Sequence, residues 1–401
     1  DKSRHMPHAR CYRNRATERY IFTGRTGIDI FDVTTGKWDH NYWLRGACRY
    51  GVMPANGLLY NTPSVCTCFI NSKIKGLNAL ADDSPTRRLP DSIPNEGRLV
   101  RGTAITNVQS STFNSQSSAW PTFRGAPDRH AFASTALSDA YAPGWKTRIG
   151  GKLTQPVIAE GTVCVGACYE HAVYALDERN GKVKWRFQAG GIVDSPPTIW
   201  KKSAIFGCRD GWVYCLNIAD GKLVWKYRAA PLDRRIISCE NVESVWPVNG
   251  SVLVLPDAKT KKGRVYCIVG RSVFLDGGMR SLVLDAETGE KLGEEVLNEL
   301  DPATGKNIQE GREWPPDLPA GLPDVLSCTD GTIYMGTQPF KLDGTRREIY
   351  YPQRNLYTYK GDLFSVGGKD AKPMKRRPND KNLHLFSTIG FLDDSEMHRS
   401  V

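Results

Sequence analysis

Apolar residues fall in short runs along this chain, and the runs are separated by turns rich in Asp, Asn and Gly. Val173-Tyr174-Ala175-Leu176 is β-branched and aromatic, which predicts a strand. Asp177-Glu178-Arg179-Asn180-Gly181 predicts a tight turn, because Asp can bond the turn's own backbone and Gly takes the φ > 0 position. Lys182 to Phe187 then alternates polar and apolar, as a strand with one buried face does. Farther on, Ala204 to Cys208 meets Trp212 to Leu216 across Arg209-Asp210-Gly211, a strong hairpin signal. Helical periodicity is nearly absent; Ala79-Leu80 and the stretch Glu290 to Leu300 are the two helix candidates.

The pattern repeats. Tyr174-Ala175-Leu176-Asp177 returns as Tyr214-Cys215-Leu216-Asn217, and Gly181 to Phe187 returns as Gly221 to Tyr227. Every anchor is shifted by forty residues, and Cys168 and Cys208 keep the same offset. Weaker copies begin at Asp32, Asp285 and Asp301. Four strands in about 40 residues is the unit of a β-propeller blade, which buries its faces only against neighbouring blades. The expected fold is therefore all-β: a β-propeller of four-stranded blades, about seven or eight in number. Residues 1–80 are expected to form the N-terminal blades, 81–119 a long loop or linker, and 120–401 the remaining blades, clearest at 145–290. Further loops are expected at 300–323 and 367–382. The start, Asp1-Lys2-Ser3-Arg4, has no secretory signal and no initiating Met, which fits a cytosolic or a processed chain. The end, after Phe391, shows no closing turn, which fits a chain cut within a blade or a ring completed by the N-terminal segment.

Composition changes this picture little. The 401 residues are 40% hydrophobic, enough for a sizeable core. No apolar run approaches the ~18 residues that span a bilayer. The formal charge of +11 is spread over three clusters, one near Arg10 to Arg19, one at Arg87, Arg88, Arg98 and Arg101, and one at Lys369 to Lys381. The last two read as solvated loops. Neither a reading helix nor a basic stacking platform is visible, so nucleic acid is not an expected partner. Of eleven cysteines, Cys164, Cys168, Cys208, Cys215 and Cys267 sit in apolar strands and are expected to act as small buried hydrophobes. Cys48 with Cys66 or Cys68 is a plausible disulfide in an oxidising compartment.

Trp120-Pro121-Thr122-Phe123-Arg124-Gly125 resembles the opening motif of the quinoprotein-like (PQQ-like) β-propeller repeat proteins. The ordered run Trp145 to Gly151, Pro156 to Ala159, Tyr174 to Asp177 and Gly181 to Trp185 is similar to the same family. One branch of that family, the quinoprotein alcohol dehydrogenases, holds pyrroloquinoline quinone and calcium beneath a pair of adjacent cysteines. This sequence has no Cys-Cys pair, so the resemblance is to the non-dehydrogenase members and PQQ is not the expected cofactor. Those members present loops to partner proteins outside the cytoplasm, which implies a periplasmic or extracellular location.

Ligands of propellers gather where the inner strands and their loops converge. Four segments there are unusually polar and supply the funnel candidates: Asp194; Arg234, Arg235, Glu243 and Trp246; Arg271, Asp276 and Arg280; and Asp394 with His398. Arg and carboxylate together could bind an anionic or carbohydrate ligand, with Trp246 as a stacking plate. Equally, such pairs tie loops to one another. His5, His8 and Cys11 are donors that suit Zn or Cu, although Pro7 breaks any helix that would align them. Two functions stand side by side. The first is a non-catalytic module or scaffold for a protein or glycan partner. The second is an oxidoreductase or metal-assisted carbohydrate-active enzyme with its site in the funnel.

Overall fold

In a computed structural model of the protein, residues 13–347 are described, apart from 25–26, 42, 64–72, 75, 83, 105–118, 134–141, 239, 303, 308–320 and 337. They form an all-β propeller of antiparallel sheets, with a single 3-10 turn at Pro85–Arg87 as the only helical element among the described residues. Strands β1 (Arg15–Ala16), β2 (Tyr20–Thr23), β3 (Ile28–Asp32) and β4 (Trp38–Asn41) make a four-stranded meander. Next, β5 (Val52–Ala55), β6 (Leu58–Asn61) and β7 (Asn78–Ala81) make a three-stranded sheet. These two sheets share a core of Phe22, Ile28, Leu44, Val52 and Ile74.

After β8 (Leu99–Arg101) four blades follow in chain order. Blade I is β9 (Val157–Ala159), β10 (Thr162–Ala167), β11 (Ala172–Asp177) and β12 (Val183–Gln188). Blade II is β13 (Thr198–Trp200), β14 (Ser203–Gly207), β15 (Trp212–Asn217) and β16 (Leu223–Arg228), with β8 paired to its outer edge. A separate hairpin, β17 (Arg235–Ser238) and β18 (Asn241–Ser244), is inserted before blade III. Blade III is β19 (Leu253–Pro256), β20 (Gly263–Val269), β21 (Met279–Asp285) and β22 (Lys291–Leu297). Blade IV contributes β23 (Leu326–Thr329), β24 (Thr332–Met335) and β25 (Gln338–Phe340). Separate apolar cores lie between I and II, between II and III, and between III and IV.

The two helix candidates are strands instead. Ala79 and Leu80 lie in β7, paired to β6, and Glu290 to Leu300 contains β22, paired to β21 over its whole length. The Glu- and Leu-rich composition favours helix, but a partner strand that satisfies the backbone outweighs propensity.

The repeat is reproduced atom for atom in the turns. The amide of Asp177 donates to the Lys182 carbonyl at 2.8 Å, and that of Gly181 to the Asp177 carbonyl at 2.8 Å. The same two bonds recur at Asn217 with Gly221, at Asp285 with Gly289, and at Asp32 with Gly36. A further copy at Asp257 lacks the glycine; Lys261 takes its place with φ 58°. A register shift before each turn, at Ala175/Leu176, Cys215/Leu216 and Val283/Leu284, is also common to the three blades.

Tryptophans hook each unit to the next. Trp145, Trp185 and Trp225 donate their indole N–H to the carbonyls of Glu178, Ile218 and Ala286, at 2.9, 2.8 and 3.0 Å. Each ring lies flat on a turn glycine. A Cβ on Gly181, Gly221 or Gly289 would stand 2.3, 2.6 or 2.6 Å from the ring, so glycine is required by close approach as well as by φ. Trp185 belongs to blade I and docks on blade II; Trp225 belongs to blade II and docks on blade III. In the first sheet the same turn forms, yet Trp38 stays 38% exposed.

One irregular segment, Trp120 to Ala131, straps the innermost strands of all four blades. Trp120 and Ile158 exchange both backbone bonds at 2.8 Å, and Ile199 donates to the Pro121 carbonyl at 2.7 Å. The Thr198 hydroxyl bonds Thr122 at 2.9 Å and the Val252 carbonyl at 2.7 Å. Cys328 donates to the Pro127 carbonyl at 2.9 Å. Arg129, 4% exposed, closes the strap: its guanidinium reaches the carbonyls of Leu326, Phe123 and Val252 at 3.0, 2.9 and 3.3 Å and the Thr122 hydroxyl at 2.6 Å. Burial pulls its pKa down to about 9, which still leaves it charged at neutral pH.

The cysteines of the strands behave as expected. Cys164, Cys168, Cys208, Cys215 and Cys267 are buried, and burial pushes the thiols of Cys164, Cys215 and Cys267 up to about 12. They fill the core as small apolar groups. Cys66 and Cys68 lie outside the described residues.

Candidate functional site

A cleft of about 2100 Å³ opens between the second N-terminal sheet, the loop from Ser84 to Ile93, the β17–β18 hairpin, the loop from Arg271 to Asp276 and the outer strand β22. It gathers Arg234, Arg235, Glu243, Trp246, Arg271, Asp276 and Arg280 into one wall and floor. Asp194 sits behind that floor. Asp394 and His398, and the metal candidates His5, His8 and Cys11, lie outside the described residues.

The floor is a buried ion triad. Arg209 Nε donates to Asp194 Oδ2 and Arg209 Nη1 to Glu243 Oε1, both at 3.0 Å, with all three side chains under 5% exposed. Asp194 Oδ1 also accepts the Gly250 amide at 3.2 Å. The triad therefore ties blade I's exit loop, blade II's hairpin and the β17–β18 hairpin together. Trp246 is 1% exposed, and its indole N–H donates to the Asp276 carbonyl at 3.0 Å, which anchors the 271–276 loop. Within that loop Arg271 pairs with Asp276 at 2.6 Å. On the facing side Phe274 stacks on Trp43, with ring centroids 5.7 Å apart and planes 12° apart, which ties the loop to the N-terminal sheets.

Four charged residues of the site were not singled out by the sequence. Arg209 was absorbed by the Asp-Gly hairpin signal around it. Glu294 and Lys291 fell in the helix candidate. Arg98 belonged to a basic cluster read as a solvated loop, and here the structure corrects that reading: Arg98 is fully buried. Its fork donates to the Arg228 and Ala229 carbonyls at 2.9 Å each and to Glu294 at 2.9 Å, beneath the Tyr227 ring. Burial is tolerated because every arm of the guanidinium has an acceptor. The apolar pair Leu99-Val100 beside it was the available signal of a strand.

Glu294 is the hub of this wall. It takes Arg98 and Lys291 at 2.9 Å and Arg280 at 3.2 Å. Burial pushes its carboxyl up, but the Arg98 charge and the bonds from Lys291 and Arg98 outweigh that and hold it below the ordinary glutamate range. A depressed carboxylate stabilises the fold above its unfolded pKa, and that stability is lost as pH falls through the folded value. Glu294→Gln should therefore be less stable than wild type at pH 7, and the gap should shrink as pH falls below about 4.5. Urea midpoints of both proteins across that range measure it; a gap independent of pH would contradict this role for the carboxylate.

Among the described residues no three metal-ligating side chains cluster. The sequence holds no pair of adjacent cysteines.

The sequence family described as the outer membrane protein assembly factor BamB matches residues 135–338, just over half of the chain. No curated protein matches. Among solved structures, the chain is similar to the quinohemoprotein alcohol dehydrogenase ADHIIG from Pseudomonas putida HK5, at 15% identity and a TM-score of 0.41, over 56% of this chain and 35% of that one. A europium-containing methanol dehydrogenase is similar at 17% identity and a TM-score of 0.42, over 59% of this chain and 50% of that one. BamB from Moraxella catarrhalis is similar at 13% identity and a TM-score of 0.22, over 51% of this chain and 76% of that one. The chain thus spans half or less of the two dehydrogenases. By its repeated turns, its docked tryptophans and that family match, the chain belongs to the PQQ-like β-propeller repeat family of the outer membrane protein assembly factor BamB.

Proposed function

We propose that the protein is a rigid, extracytoplasmic binding module that receives a partner protein at the cleft beside the β17–β18 hairpin. The observation that carries this reading is an apolar pair held out into water. Ile237 and Val242 face each other across the hairpin ladder and are 82% and 59% exposed. Leu77, on the opposite cleft wall, is 70% exposed. Each forgoes roughly 1.5–3 kcal/mol of burial that a partner would restore. Contiguous exposed apolar groups rimmed by charge mark interaction surfaces. The acidic and basic groups of the floor are engaged with one another, which suits a rigid support. The name of the matched family, an assembly factor of the outer membrane, agrees with a protein partner and with a periplasmic location.

A photo-crosslinking residue at Leu77 tests the reading in cells that express the protein. A discrete protein adduct is expected, and Ile237→Asp with Val242→Asp should abolish it by more than about tenfold without altering stability, since both sites are exposed. A crosslinker at Lys222, on a blade turn remote from the cleft, should give none. No adduct from Leu77, or one indifferent to the hairpin charges, would overturn it. Retention of a glycan by the wild type and not by the hairpin variant would replace the protein partner with a carbohydrate.

A further inference from the structure

The wall around Glu294 holds more positive charge than its carboxylate can balance. Arg98, Arg280 and Lys291 all converge on that single group, and Arg98 and Arg280 are 0% and 4% exposed. Arg98 completes its fork on two backbone carbonyls, as described above. Arg280 does not. Its Nη1 is buried and meets no acceptor among the described residues, although the side chain lines the cleft. Arg271, on the same wall, spends Nη2 on Asp276 and leaves a buried Nε without an acceptor. Of the other carboxylates at the cleft floor, Glu243 is held by Arg209 and Asp276 by Arg271. A buried guanidinium N–H left without an acceptor is costly, and native proteins keep such groups rarely and for a reason.

We propose that Arg280, assisted by Lys291, forms an oxyanion-binding subsite in the cleft wall. It takes a carboxylate, phosphate or sulfate oxygen on the free Nη1 of Arg280, with the Lys291 ammonium as a second donor at the rim. An oxyanion there supplies the acceptor that Arg280 lacks and cancels part of the excess of two positive charges over Glu294. Charge-assisted bonds of this kind are the strong ones, and the flat fork of arginine fits a planar or tetrahedral oxyanion. This inference rests on reading the cleft as the binding surface. It adds that the group entering the cleft carries an acidic function, whether a side chain of the partner protein or a free inorganic anion.

Titration with inorganic phosphate and with acetate, at fixed ionic strength and followed by calorimetry, tests the subsite. Saturable binding is expected in the wild type, weaker by about tenfold or more in Arg280→Gln and severalfold weaker in Lys291→Gln. Lys222→Gln, on a distant turn, should bind as the wild type does. Lys291 is partly exposed, so its variant gives an answer even where Arg280→Gln does not fold. No saturable binding in the wild type, or equal affinity in wild type and Lys291→Gln, overturns the proposal. The Leu77 adduct separates the two readings. An adduct without anion binding removes the subsite alone. Arg280-dependent anion binding without an adduct keeps the subsite and removes the partner protein. Competition of the adduct by phosphate places the acidic group on the partner.

Discussion

Arg129→Ala is expected to cost about 3–5 kcal/mol of stability, measured by urea unfolding at neutral pH. The cost does not come from a lost ion pair. It comes from the four acceptors the guanidinium serves in a site that is 4% exposed: Thr122, Phe123, Val252 and Leu326. Two of these lie in or beside the innermost strands of blades III and IV, and two in the strap itself. Without Arg129 the buried Leu326 and Phe123 carbonyls lose the guanidinium donor, while the Val252 carbonyl keeps only the Thr198 hydroxyl. Arg129→Lys should recover little, because one ammonium cannot span acceptors that a planar fork reaches together. Arg101→Ala is the contrast. Arg101 pairs with Glu290 at 2.9 Å, but both side chains are more than half exposed, so the expected loss is under about 1 kcal/mol. A loss at Arg129 as small as that at Arg101 would show that the strap does not hold the blades.

Trp225→Ala should be of similar size, about 3–5 kcal/mol, because the ring is 1% exposed and leaves a cavity between blades II and III. The glycine beneath it allows the contact to be isolated. Gly289→Ala puts a Cβ 2.6 Å from the Trp225 ring and strains a φ of +74°. Gly36→Ala strains an equivalent turn at φ +72°, with nothing within 4 Å of its Cβ. The Gly36 variant should therefore lose only the conformational part, about 1 kcal/mol, and the Gly289 variant roughly 1–3 kcal/mol more. Equal losses at the two glycines would mean that Trp225 does not dock on the turn.

The legible part of this chain is local. Gly181 and Gly221, and Trp185 and Trp225, repeat at one spacing because each blade solves the same packing problem with the same residues. The Asp257 turn escaped because Lys261 adopts the φ that elsewhere calls for glycine. Strand β22 escaped because its Glu-rich composition speaks for helix, and only its partner β21 decides otherwise. The site divides in the same way. Glu243 to Pro247 and Gly270 to Arg280 stand out because their polar density is wrong for plain strands, and the structure gathers them in one cleft. Arg98 and Glu294 could not be paired by inspection, since 196 positions separate them and nothing near either announces the other. Burial of a cation is set by distant acceptors, and a linear pattern does not carry that information.

Hydrogen exchange followed residue by residue under native conditions tests most directly whether the strap and the four blades are one cooperative body. The amides of Trp120, Ile158, Ile199 and Cys328 are bonded across the strap, so all four should exchange only through global unfolding. They should then share one opening free energy, equal to that from urea unfolding. Fast exchange at Trp120 while the amides of β14 and β15 remain protected would show a strap that lifts away on its own, and the rigid platform would not exist.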